Sequence, residues 1–177
     1  MGDLPFSNGS SFRNQLSFRT LLIGLPAVVV VSCFLLTLLK LTETQWREFF
    51  LAVGTLTVFF VVVGTLIQQR LAADLVRCLD AEAEATATPE LRRAAFAQAM
   101  QLPAASFVSS GAPWVLAGPL LALWMLLRAE DLPRFALLVI AFAALNGGLV
   151  SSIFVFFMVK HFLAPLRSAL AARVDGP

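Results

Sequence analysis

The chain has 177 residues, of which 59% are hydrophobic and 14% charged, and its mean hydropathy is +0.84. This composition excludes an ordinary water-soluble domain, and a net charge of +2 provides no basic surface for nucleic acid. The two cysteines, Cys33 and Cys78, lie in different kinds of segment, so no structural disulfide is expected.

Four apolar stretches follow one another along the chain, and none contains Asp, Glu, Lys or Arg. They span residues 21–39, 49–67, 107–127 and 135–159. Each has about the 20 residues that a helix needs to cross a ~30 Å hydrocarbon layer. The expected fold class is all-α and polytopic, with transmembrane hairpins at 21–69 and 105–160. A helical linker at 70–104 joins them, a tail precedes them at 1–20, and a helix follows at 161–177.

Lysine and arginine are distributed unevenly around these stretches. Of the 13, nine lie in the N-terminal tail, the linker and the C-terminal segment, and the remaining four lie in the loops 40–48 and 128–134. The positive-inside rule then predicts a multi-pass protein with both termini and the linker in the cytoplasm. The expected location is the cell inner membrane. Because the two outer loops are shorter than ten residues, a stimulus is expected to act within the membrane, at its surface or from the cytoplasm.

The linker has the pattern of two amphipathic helices. Leucines at 71, 75 and 79 predict a first apolar face. Thr88 followed by Pro89 predicts an N-cap and a new helix. Its apolar face is predicted to consist of Leu91, Ala95, Phe96 and Met100. The acidic residues Glu82, Glu84 and Glu90 are interpreted as a solvated face.

Small and polar residues inside the stretches predict close helix packing. They are Gly54 and Thr57 in the second stretch, and Asn146, Gly147, Gly148 and Ser151 in the fourth. Two alternatives stay open, namely a lipid or hydrophobic-ligand site near Asn146 and a homodimer face. Pro103, Pro113 and Pro119 predict bends that serve either as hinges or as packing features.

Catalytic and cofactor patterns are not found in the sequence. A single histidine, His161, excludes a bis-histidine haem or a multi-histidine metal site within one chain. No phosphate-binding loop or nucleophile motif is present, so neither an enzymatic activity nor a cofactor is expected.

A short motif after the fourth stretch suggests a family. Pro165-Leu166-Arg167, with Leu163 and Leu170 beside it, resembles the opening of a HAMP domain, a cytoplasmic coiled-coil module of bacterial signalling proteins. Arg19, Leu102-Pro103 and Trp114 are similar to four-span membrane regions that precede adenylate/guanylate cyclase or methyl-accepting chemotaxis outputs. The chain ends at Pro177, before a HAMP connector or second helix, so any such output is expected beyond this residue.

The resemblance implies a membrane-embedded sensory or anchoring module that acts as a homodimer. Lys160, Pro165, Leu166 and Leu170 would relay a shift of the fourth span to a cytoplasmic signalling domain or protein. One rival hypothesis is a small transporter or channel subunit, with Gly54 and Thr57 facing Asn146 and Ser151 along a polar path. The absence of ionisable residues in the stretches argues against ion coupling. Another rival is a membrane scaffold protein.

Overall fold

The computed structural model describes residues 6–129 and 132–174, and all regular secondary structure in these ranges is α-helical. The helices are α1 Gly9–Leu38, α2 Glu43–Leu71, α3 Ala73–Ala83, α4 Pro89–Arg128 and α5 Arg134–Val174. Four of them, α1, α2, α4 and α5, are long and apolar enough to cross a membrane. The all-α, polytopic fold class is therefore confirmed.

The helices run further than the predicted domain boundaries. At 40 and 41 residues, α4 and α5 are each about 60 Å long, roughly twice the hydrocarbon thickness. Helix α4 passes through the predicted junction at 104/105, and α5 passes through the one at 160/161. The tail predicted for 1–20 is helical from Gly9 onward. These helices thus combine an apolar stretch with a more polar portion that continues the same helix.

Local capping explains where most of the helices begin. The Asn8 carboxamide accepts from Ser11 N at the start of α1. Thr42 and Gln45 form a reciprocal capping box at the start of α2. The Thr88 hydroxyl accepts from Leu91 N and Pro89 opens α4, which confirms the predicted N-cap.

Helices α4 and α5 form the central pair of the bundle. Helix α1 packs mainly against α5 and α2 mainly against α4, whereas the contact between α1 and α2 is slight. The first two spans are therefore held by the central pair more than by each other. The grouping of the spans into two membrane hairpins stays a prediction.

Two buried clusters lie at opposite ends of the bundle. The cap consists of the N-terminal part of α1, α3, the first part of α4 and the last part of α5. Its core includes Phe12, Leu75, Leu102, Leu163, Leu166 and Leu170. The loop-end cluster, beside the 39–42 connection, includes Leu35, Phe49, Met125 and Ile140.

The predicted apolar faces of the linker match the face that packs into the cap, with one exception. Leu75, Leu79 and Ala95 are buried, as the periodicity predicts. The prediction for Met100 is wrong, because this side chain is 54% exposed. Ala99 and Leu102, at i+4 and i+7 from Ala95, occupy the buried face instead.

Candidate functional site: the cap and the central cavity

An ion-pair cluster joins three helices of the cap. Glu82, at the end of α3, accepts a hydrogen bond from Arg92 Nε of α4 at 2.6 Å and another from Arg173 of α5. The Glu82 side chain is 11% exposed and that of Arg173 is 15% exposed. The interpretation of Glu82 as part of a solvated face is therefore wrong. Its partner Arg173 lies 91 positions away, so local sequence carries no signal of the pair.

The burial of this cluster determines how much stability is lost when one of its partners is removed. Breaking a fully buried pair by removing one partner costs about 3–5 kcal/mol, because the remaining charge is left without compensation. The cost is lower here, since the Arg92 side chain is 27% exposed and water screens it in part. The cluster thus ties the C-terminal end of α5 to the α3–α4 connection.

The start of α1 docks directly on α3. Gly9 N donates to the Asp80 carboxylate at 2.8 Å. A Cβ at Gly9 would lie 2.5 Å from the Val76 carbonyl oxygen, so only glycine permits this approach. The aromatic ring of Phe12 stacks on Phe162 of α5 with centroids 5.6 Å apart. The N-terminal segment is therefore an integral part of the cap.

Helix α3 depends on its neighbours for capping. Its N-cap residue, Ala72, has no side chain that can accept a hydrogen bond. Instead, the Gln98 side-chain oxygen on α4 accepts from Leu75 N at 2.8 Å. This bond satisfies one of the backbone N–H groups that a helix start leaves without an intrahelical partner.

Cys78 is the buried thiol of the cap. Burial raises its pKa, the nearby Glu82 carboxylate raises it further, and Arg92 and Arg173 act in the opposite direction. The thiol is therefore held in its neutral form at physiological pH. Both cysteines are free, as the sequence predicts, with Cys33 exposed on α1.

The HAMP-like segment is a continuous part of α5. The helix runs through Pro165, and the Arg167 guanidinium donates to the Lys160 carbonyl oxygen at 2.6 Å. Leu166 and Leu170, like Leu163, are buried against the chain's own cap helices. The side chain of Lys160 is exposed. The predicted relay residues thus lie on two faces of α5. Lys160 is exposed, whereas Leu166 and Leu170 pack against other helices of the same chain.

Glycines on α5 permit close contacts with both neighbouring spans. A methyl group at Gly148 would overlap the Trp114 side chain of α4, and one at Gly147 would overlap Val31 of α1. Gly118 of α4 in turn faces Ala141 and Ala144 of α5. The absence of side chains at these positions lets α1 and α4 pack on adjacent faces of α5.

A central cavity of about 180 Å³ lies between the cap and the loop-end cluster. Residues of α1, α2, α4 and α5 line it, most of them apolar. At the cap end, the Gln68 carboxamide of α2 donates to the Thr20 hydroxyl of α1 at 2.8 Å. The cavity is not fully enclosed, and two of the helices that line it, α1 and α2, make little contact with each other.

The polar residues of the rival transport hypothesis are not gathered around one path. Thr57 and Ser151 line the central cavity. Asn146 lies in a second apolar groove, between α1 and α5, which Ser151 also lines. There it donates to the Phe142 carbonyl oxygen of its own helix. Gly54 is exposed, with open space around it. The pairing of Gly54 and Thr57 with Asn146 is therefore not found.

The three prolines in the interior of α4 lie in different surroundings, and the helix remains continuous through all of them. Pro103 is buried in the cap region, Pro113 lines the central cavity, and Pro119 is exposed. Within residues 6–129 and 132–174, no group of three or more His, Cys, Asp or Glu side chains could hold a metal ion.

Comparison of the chain with protein-family models, with curated proteins and with solved structures finds no match.

Proposed function

We propose that the chain is a membrane-embedded sensory or anchoring module of a bacterial signal-transduction protein. The supporting observation is that α5 extends without a break from the fourth apolar stretch to the ion-paired end of the cap. A helix is stiff along its axis, so a displacement of its membrane portion moves the end that carries Arg173. In this proposal the cap lies in the cytoplasm, and the lysine and arginine distribution supports that orientation.

The proposed relay passes through the cap as a whole. Because Leu166 and Leu170 are buried against α1, α3 and α4, a shift of α5 changes the packing of the cap. The charge cluster at Glu82 is the contact most sensitive to such a shift, since its hydrogen bonds depend on the relative positions of three helices. A homodimer and a cytoplasmic output domain or partner belong to the same proposal.

The first test is the size of the native product. An antibody raised against the exposed 84–88 turn is used to probe membranes of the source cells by immunoblotting. A band much larger than 19.2 kDa supports a signalling protein with a covalently attached output. A band at 19.2 kDa contradicts that form and favours a scaffold or transport protein instead.

A second test addresses the relay itself in the native product. The Glu82→Gln variant is expected to change output activity severalfold, because it weakens the contact between α5 and the other cap helices. Glu84→Gln is the matched control, since Glu84 is exposed on the same turn. Equal output from the two variants, with lower thermal stability only in Glu82→Gln, would show that the cluster has a purely structural role.

A further inference from the structure

We propose that the central cavity binds a single fatty-acyl chain of a lipid from the cap-side leaflet. The cavity lies within the apolar part of the bundle, between the cap and the loop-end cluster. On its open side the neighbouring molecules in a bilayer are lipids. A cavity with a mainly apolar lining does not hold water well, and lining atoms without neighbours lose dispersion contacts.

The cavity lining is long enough for an extended acyl chain. Along α1 it reaches from Ser17 to Leu35, a distance of about 27 Å at 1.5 Å per residue. This distance exceeds half of the ~30 Å hydrocarbon layer, which is the depth that the acyl chains of one leaflet fill. An extended chain fits such a space, whereas a compact polycyclic molecule would leave much of the length unfilled.

The polarity of the lining orients the ligand. Six side chains that can form hydrogen bonds lie toward the cap end, namely Ser17, Thr20, Thr65, Gln68, Ser109 and Ser110. Ser32, Thr57 and Ser151 add such groups along the rest of the lining. The opposite end is mainly apolar, with Leu35, Phe49, Val53, Leu121 and Ile140. A polar head group therefore lies near the Thr20–Gln68 hydrogen bond, and the chain extends toward the loop-end cluster.

Two glycines of the cavity lining leave room for larger side chains. Gly24 of α1 and Gly64 of α2 both line the cavity, and a Cβ at either would meet nothing within 4 Å. Larger side chains can therefore be introduced there without displacing the backbone. Gly54 of α2 also has open space around it but does not line the cavity. These three glycines provide matched cavity-filling and control variants.

The experiment uses the full chain in phosphatidylcholine nanodiscs that contain a small fraction of a diazirine-labelled acyl probe. One arm uses a labelled free fatty acid and the other a labelled phosphatidylglycerol. After irradiation, the labelled residues are mapped by mass spectrometry. We expect saturable labelling of cavity residues such as Leu56 and Phe60, and the more efficient arm identifies the source of the chain.

The cavity-filling variants Gly24→Leu and Gly64→Leu should reduce this labelling at least tenfold, and Gly54→Leu should leave it within twofold of the parent. Tryptophan fluorescence and gel filtration verify folding, and a variant that misfolds is replaced by the other. Non-saturable labelling spread equally over exposed positions such as Val29 and Val58, unchanged in the filled variants, would overturn the proposal. The idea that this lipid acts as a stimulus rests on the proposed function. Its binding is tested independently, because the labelling result does not depend on the size of the native product.

Discussion

Several glycine residues lie where the helices of this protein approach one another closely. Gly148 of α5 has the Trp114 side chain directly above it, and Gly9 of α1 lies against the α3 backbone. Gly54, by contrast, has nothing within 4 Å of the position that a Cβ would occupy. The same residue type therefore has opposite effects on stability at different positions of the bundle.

The Gly148→Ala variant is expected to be destabilised by about 1–3 kcal/mol, because the added methyl group overlaps Trp114 in a tightly packed interface. Gly54→Ala is the control and is expected to be neutral or slightly stabilising, since alanine favours the helix. Unfolding in mixed detergent micelles, followed by circular dichroism, measures both. Equal stability of the two variants would contradict the close α4–α5 packing.

A second prediction at the residue scale concerns the pKa of Cys78. Burial, followed by the Glu82 charge, raises this pKa, so folding favours the neutral thiol. The resulting stabilisation is complete below the unfolded thiol pKa of about 8.5 and is lost as the pH rises through the higher folded value. In a Cys33→Ser background, the pH midpoint of maleimide labelling should exceed that of an unfolded peptide. A midpoint at or below the peptide value would disprove the prediction.

At the scale of elements, the turn between α3 and α4 determines how the cap closes. Thr86 N donates to the Ala81 carbonyl oxygen and Ala85 N to that of Glu82, and Ala85 has a φ of 56°. These are the bonds of a Schellman motif, in which glycine is usual at the left-handed position. The turn places Glu82 where Arg92, on the following helix, can reach it.

The Ala85→Gly variant should stabilise the cap by about 0.5–1 kcal/mol, because glycine adopts a positive φ without the steric cost that alanine incurs. Ala83→Gly is the control for which the opposite effect on stability is expected. It places glycine in the last turn of α3 and should be destabilising. Thermal unfolding of the two variants compares these effects. A loss of stability in Ala85→Gly would contradict the observed turn geometry.

At the scale of the whole molecule, the cap lies at one end of the bundle and the 39–42 connection at the other. This arrangement separates exposed residues of the two ends by the length of the membrane-spanning portion. Glu84 is exposed at the cap, and the Arg47 side chain is 76% exposed near the start of α2. The two positions can therefore report on orientation.

In a Cys33→Ser, Cys78→Ala background, Glu84→Cys and Arg47→Cys should react with a membrane-impermeant maleimide from opposite sides. The distribution of lysine and arginine predicts that Glu84→Cys is protected in intact cells and labelled after lysis, whereas Arg47→Cys is labelled in intact cells. The reverse pattern would invert the proposed orientation. Labelling of both variants in intact cells would contradict a cap and a loop on opposite sides.

Much of the fold could be predicted from local patterns. The four apolar stretches predict the spans, and Thr88-Pro89 predicts the start of α4, because both signals depend on neighbouring residues alone. The cap could not be predicted in this way. Glu82 and Arg173 are 91 positions apart, Gln98 caps a helix from a neighbouring one, and alanines such as Ala99 leave little signal in an amphipathic pattern.

The sequence by itself determined that this is an all-α membrane protein with four long apolar helices, because length and hydropathy decide whether a helix can cross a bilayer. Only the tertiary structure decided that α1 and α2 pack against the central α4–α5 pair and leave a cavity between them. The physical reason is that lipid-facing and helix-facing positions are both apolar in a membrane. Helix partners are therefore decided by shape, such as the contact of Trp114 on Gly148, and not by hydropathy.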